Sequence, residues 1–204
     1  MAKRNTNKSR GVAVVEFTLS LLLLVPLLLG VFIFGFRLIR ALQMDQIARD
    51  LGHMYVRGVN FRNAGPRQNA QTLASGFNLT PSGTSLVVLS QVRLVTQADC
   101  DATGTAPAGT PCTNLNQPAF VEQMTIGNTS AGSSYFGTPT VRGDFTTSPS
   151  ALANGPTSVA SGFGGVLTLK TGEIAYVVEM FNQTPELNIP GFSGRPLIYA
   201  RSIY

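Results

Sequence analysis

Polar side chains leave one long gap in this chain. From Val12 to Phe36 only Glu16, Thr18 and Ser20 interrupt a run of apolar residues. As an α-helix that run measures roughly 37 Å, against about 30 Å for the hydrocarbon core of a bilayer. It exceeds the roughly 7–15 apolar residues of a secretory signal, and Gly30–Arg37 (GVFIFGFR) offers no small-residue cleavage site. The pattern predicts a retained membrane helix, with Pro26 bending or loosening it mid-span. Arg37–Arg57 then places Leu38, Leu42, Ile47, Leu51 and Met54 near helical spacing, with Asp45 and Arg49 at i,i+4 and Gly58 as a stop. One rod over residues 12–58 results, greasy in its first half and amphipathic in its second.

Beyond Gly58 the periodicity shortens. Ser85–Thr96 is rich in β-branched residues, and Phe120–Ile126 alternates more weakly. Gly127–Gly165 reads as a long Gly-, Ser-, Thr- and Pro-rich loop with at most a short element inside. Gly165–Leu169 and Glu173–Phe181 flank Lys170-Thr171-Gly172, which suggests a hairpin, and Leu197–Tyr204 makes a last strand. The expected class is α+β: a long N-terminal transmembrane helix whose amphipathic half packs on a C-terminal antiparallel sheet, in a β-rich domain over residues 59–204.

The net charge of +5 invites a nucleic-acid reading, but its distribution argues against one. Lys3, Arg4, Lys8 and Arg10 lie in the first ten residues, which hold no acid. Without those four, 11 Lys and Arg face 10 Asp and Glu, so no basic stripe remains for phosphates. The leader reads as the cytoplasmic flank of a membrane helix. Arg37, Arg40 and Arg49 follow on the other side, so the cation rule alone favours that orientation only slightly. The two cysteines, Cys100 and Cys112, bound a Gly/Thr/Pro-rich loop and read as a disulfide, which places the domain outside the cytoplasm. With one distant histidine they make no four-ligand zinc site.

Catalytic signals are weak. His53 is the one histidine and has no nucleophile motif beside it; it reads as a packing or surface residue. Glu122, Glu173, Glu179 and Glu186 show no spacing that selects an acid and base pair, and they read as solvated. Ser161–Gly165 (SGFGG) lacks the Lys and Ser or Thr of a phosphate-binding loop. The expectation is a protein that is not an enzyme and uses no cofactor or metal.

Glu16 is the informative residue. A carboxylate at the centre of a membrane helix costs roughly 2.5–3.5 kcal/mol, less near its end, so a partner or a function is expected. Gly11-Val12-Ala13-Val14-Val15-Glu16-Phe17 is similar to the processing site of type IV prepilins: basic leader, glycine before the cut, apolar stretch, glutamate at the fifth mature position and an aromatic after it. Arg10–Gly35, with Pro26, resembles the N-terminal segment of TadE-like proteins of the Tad (tight adherence) pilus system. Gly172–Phe181 with Thr184-Pro185, and the closing LIYARSIY, resemble that family more loosely.

The resemblance implies a minor pseudopilin of the inner membrane, cut by a prepilin peptidase and assembled with other pilins and pilus assembly proteins. Gly11 and Val12 would flank the cut, and Glu16 and Phe17 would serve processing or assembly. The alternative is a membrane-anchored periplasmic binding or adhesion domain with no filament role, in which Gly11 and Glu16 are incidental.

Overall fold

The computed structural model describes residues 7–184 and 197–204, with side chains from Gly11 onward. Lys3 and Arg4, the side chains of Lys8 and Arg10, and Pro185 and Glu186 lie outside the described residues. Met1–Arg40 and Ala41–Tyr204 form two compact units.

Helix α1 runs Asn7–Val56, continuous through Pro26. Nothing in Asn7–Gly11 breaks a helix, so it starts before Val12. It stops where the sequence places the stop. Gly58 takes φ +83° and donates its N–H to Tyr55 O at 3.0 Å, while Val59 N–H reaches Met54 O at 3.0 Å. These are the paired bonds of a Schellman cap, which needs a left-handed residue there.

Among the described residues four strands follow, three of ten residues and one of seven: β1 (Ser85–Leu94), β2 (Pro118–Gly127), β3 (Ile174–Gln183) and β4 (Leu197–Ile203). All neighbours are antiparallel, in the order β2-β1-β3-β4. Helix α2 (Ala64–Leu73) precedes β1, α3 (Gln97–Asp101) lies between β1 and β2, and α4 (Pro149–Asn154) between β2 and β3. The α+β expectation holds. Gly165–Leu169 is not a strand: Phe163–Gly165 is a 3₁₀ turn, and β3 is already paired on both sides, by β1 and β4. No edge remained for a hairpin partner. The turn at Lys170 still forms, with Glu173 N–H donating to Lys170 O at 3.0 Å.

The two sheet faces bury separate cores. On one, Met44, Ala48, Leu51 and Tyr55 of α1 join Val87, Leu89, Met124, Ile126, Val178 and Met180, with Ala70 of α2. Spacings of 4, 3 and 4 residues put those α1 side chains on one helical stripe. The stripe differs from the one expected. Leu51 is on it, Ile47 and Met54 flank it, but Leu38 and Leu42 are exposed. On the other face Val92, Phe120, Ala175 and Val177 pack with Phe136, Ala160, Phe163 and Leu169. The segment that reads as a featureless loop therefore supplies much of the second core.

Cys100 and Cys112 are disulfide-bonded, Cα atoms 5.2 Å apart. Cys100 sits on α3, whose start is fixed by Asp99: it accepts from Thr96 N–H at 2.8 Å and from both Arg93 guanidinium nitrogens at 2.6 Å. The Arg93 hydrogen bonds hold the Asp99 carboxyl at about 2, below its usual 3.8, against opposing desolvation. A depressed carboxyl pKa stabilises the fold above the unfolded value and loses that contribution as pH falls through the folded one. With solvent screening on its open side, the pair contributes about 1 kcal/mol. Between pH 4 and 2 the native protein should lose that much more stability than Asp99→Asn in acid unfolding; parallel titrations would contradict the pairing.

Candidate processing and assembly site

Gly11, Val12, Glu16 and Phe17 all lie in the early turns of α1. Apolar, uncapped sequence keeps this stretch helical, so backbone geometry sets which side chains meet. Val12 and Glu16 stand at i,i+4, on one face with Cβ atoms about 5–6 Å apart. Phe17 is 66% exposed and Val12 is exposed as well. Apart from the neighbouring helix backbone, no atom of a described residue lies within 4 Å of where a Cβ on Gly11 would sit. Thr18 turns its hydroxyl back to Val14 O at 2.8 Å, satisfying it within the helix. Glu16 is different: it is exposed and makes no hydrogen bond or ion pair with a described residue. It is the one charged side chain from Gly11 to Phe36. The result is an apolar helix surface carrying a single carboxylate, one turn from residue 12.

The other candidates are placed by the domain. Asp45 and Arg49 pair at 2.7 Å on the open side of α1, worth a few tenths of a kcal/mol. His53 is exposed and its ring lies 4.9 Å from that of Tyr204. Tyr204 packs its ring on Gly52, where a Cβ would collide, and donates its hydroxyl to Arg49 O at 3.0 Å. The glycine inside an amphipathic stretch was the signal for that contact.

Two glutamates read as solvated are buried. Glu122 pairs with Arg62 at 2.8 Å, beside Tyr55 and Gln91 on the helix-covered face. Burial first, then the Glu122 charge, push the Tyr55 hydroxyl pKa up. Glu179 is fully buried on the opposite face. Its Oε1 accepts from Tyr135 N–H at 3.0 Å and Tyr199 O–H at 2.9 Å. Burial and the Glu179 carboxylate raise the Tyr199 pKa. The sheet separates these two carboxylates, so they do not form an acid and base pair. Glu173 is exposed and accepts from Lys170 N–H at 2.8 Å. Among the described residues no cluster of three His, Cys, Asp or Glu side chains has metal-binding geometry.

One described helix, α1, is long and apolar enough to cross a membrane. Its sequence is also the part of the chain with a recognisable family. Residues 11–52 match the TadE-like protein family. The TadE-like stretch contains Gly11, Val12, Glu16 and Phe17 together with most of the α1 stripe that packs on the sheet. It ends at Gly52, so the looser likeness of Gly172–Phe181 and of the last strand is not part of the match. No match was found among curated proteins or among solved structures. Over residues 11–52 the chain is thus similar to TadE-like proteins, and α1 could anchor it in a membrane.

Proposed function

We propose that the chain is a minor pilin of a Tad-type adhesion pilus, cut between Gly11 and Val12 by a prepilin peptidase. Its N-terminus lies in the cytoplasm and its disulfide-bonded domain in the periplasm. The observation that carries this reading is the exposed Glu16 carboxylate, without a partner among the described residues, one helical turn from Val12. Cutting after Gly11 frees an amine at Val12, a positive charge in an apolar setting. Glu16 of the same chain or of a neighbour neutralises it as helices pack, which fixes their axial register. Each charge is costly alone and tolerable when paired.

The cut bond lies inside α1, so the peptidase must first unwind those turns. Gly11 eases this, because glycine is about 1 kcal/mol poorer than alanine in a helix and places no Cβ in the protease cleft. The chain works by assembly, with the sheet facing other subunits, and carries out no catalysis. Its partners are the peptidase, other pilins and pilus assembly proteins, and the inner membrane.

Pili sheared from the native host test this reading. The chain should be recovered in them at a minor stoichiometry by quantitative mass spectrometry. Recovery only in the inner membrane would favour an anchored binding domain without a filament role.

A further inference from the structure

The sheet ends on two unlike edges. Along β2 the chain covers its own edge. Thr147 N–H donates to Val121 O at 2.8 Å, Gln123 N–H to Phe145 O at 3.1 Å and Ala160 N–H to Pro118 O at 2.9 Å. Isolated bridges at Ala119–Val159 and Glu122–Thr146 add to that cover. Along the outer side of β4 no described residue forms a ladder.

The hydrogen-bond phase of β4 is set by its inner side. Tyr176 and Tyr204 exchange both backbone bonds, at 2.9 and 3.0 Å. In that register Ile198, Ala200 and Ser202 turn their N–H and C=O groups toward β3, while Leu197, Tyr199, Arg201 and Ile203 turn theirs outward. The strand LIYARSI has neither a proline nor a bulge to blunt it.

A second copy of this chain does not fit that edge. Its β2 edge is covered, so it would have to offer β4. Antiparallel β4–β4 pairing puts a two-fold axis normal to the sheet. Such an axis reverses every direction in the sheet plane, including that of the α1 stretch lying flat on the sheet through Met44, Ala48, Leu51 and Tyr55. Two chains entering from one membrane need those stretches to run the same way. Parallel β4–β4 pairing about an axis along the strands sets residues of equal phase level with each other. A parallel ladder needs opposite phases at each level.

We infer that β4 receives an antiparallel edge strand from a different pilin-type subunit, which continues the sheet while keeping both helices in the same direction. A domain of the same strand order, shifted sideways without rotation, meets β4 with its β2 position. In this sheet β2 runs antiparallel to β4. The partner is a chain whose strand at that position is uncovered.

Side chains state what the incoming strand carries. Tyr199 forms an aromatic patch with Phe181, ring centroids 5.1 Å apart, and with Tyr135, at 4.5 Å and 63% exposed, which asks for an apolar residue beside it. Arg201 rests over the Phe136 ring at 5.0 Å and makes no ion pair with a described residue, which asks for a carboxylate. Backbone bonds give the affinity of such strand addition, and alternate side chains its specificity.

The inference rests on the pilus reading, and one experiment separates their failures. The full-length chain, with benzoylphenylalanine in place of Ile203, is irradiated in its native host, and cross-links are mapped by mass spectrometry. The expected result is a cross-link to a strand of one other pilin-type chain. Arg201→Pro removes an outward N–H without touching the β3 ladder and should cut the cross-link at least ten-fold, with protease resistance unchanged. Arg201→Gln, which removes the charge without setting a second carboxylate opposite the buried Glu179, should cut it several-fold. Cross-links only to a second copy, or an undiminished cross-link in Arg201→Gln, would overturn the inference. So would no cross-link in a strain whose pili contain the chain. Absence of the chain from pili with the cross-link retained would instead remove the pilus reading.

Discussion

Replacing Glu16 with alanine leaves the chain in the membrane and lowers its recovery in pili at least ten-fold. Removing a carboxylate from an apolar helix relieves an insertion cost of up to roughly 2.5–3.5 kcal/mol, so anchoring does not suffer. Assembly does. Without Glu16 the Val12 amine enters the packed helices uncompensated, and removing one partner of a buried ion pair typically costs about 3–5 kcal/mol. Each 1.4 kcal/mol is about a factor of ten in an equilibrium, so even a half-solvated pair gives the stated loss. Glu16→Gln should behave like alanine, because it keeps shape and polarity but not charge. Quantitative blots of membrane and sheared-pilus fractions check both variants. Wild-type recovery in pili would remove Glu16 from the mechanism.

Leu51→Ala destabilises the domain by about 3 kcal/mol, within the 2–5 kcal/mol usual for emptying a buried leucine site. Leu51 is fully buried at the centre of the α1 stripe, between helix and sheet. For a domain of this size the loss lowers the thermal midpoint by about 6–12 °C. Leu42→Ala is the control: Leu42 is 57% exposed, and substitutions at such positions change stability by about 0.5 kcal/mol or less. Thermal unfolding of the two detergent-solubilised variants checks the pair. Equal midpoints would mean that α1 does not pack on the sheet through this stripe.

What was legible in the chain follows from how each signal arises. The membrane run, the Gly58 stop, the disulfide and β1, β2, β3 and β4 were each written locally, in composition, spacing or β-branched alternation. The buried stripe of α1 was legible only in part. Met44, Ala48 and Tyr55 are a flexible, a small and a polar-tipped side chain, so hydropathy favoured the exposed Leu38 and Leu42 instead. Helix α2 escaped because Ala64–Leu73 has few large apolar side chains, and α3, with five residues, is shorter than any periodicity window. Phe136 and Phe163 reach the second core from irregular backbone, where no period marks a buried position.

Burial of Glu179 could not be seen locally either. Its partners are a backbone N–H 44 residues earlier and a hydroxyl 20 residues later, brought together only by the register of β3 and β4. The proposed processing and assembly motif is linear, with glycine, apolar stretch, glutamate and aromatic within two helical turns, so it can be read without a fold. The outer side of β4, along which no described residue pairs, was not legible, because an edge is defined by what fails to pair in three dimensions.

The most direct test of the central claim is the intact mass and N-terminal sequence of the chain extracted from its native membrane. A mature chain that begins at Val12 and lacks residues 1–11 is expected. A chain that keeps those residues, in a host with an active prepilin peptidase, would contradict that claim and make Glu16 a detail of a membrane anchor.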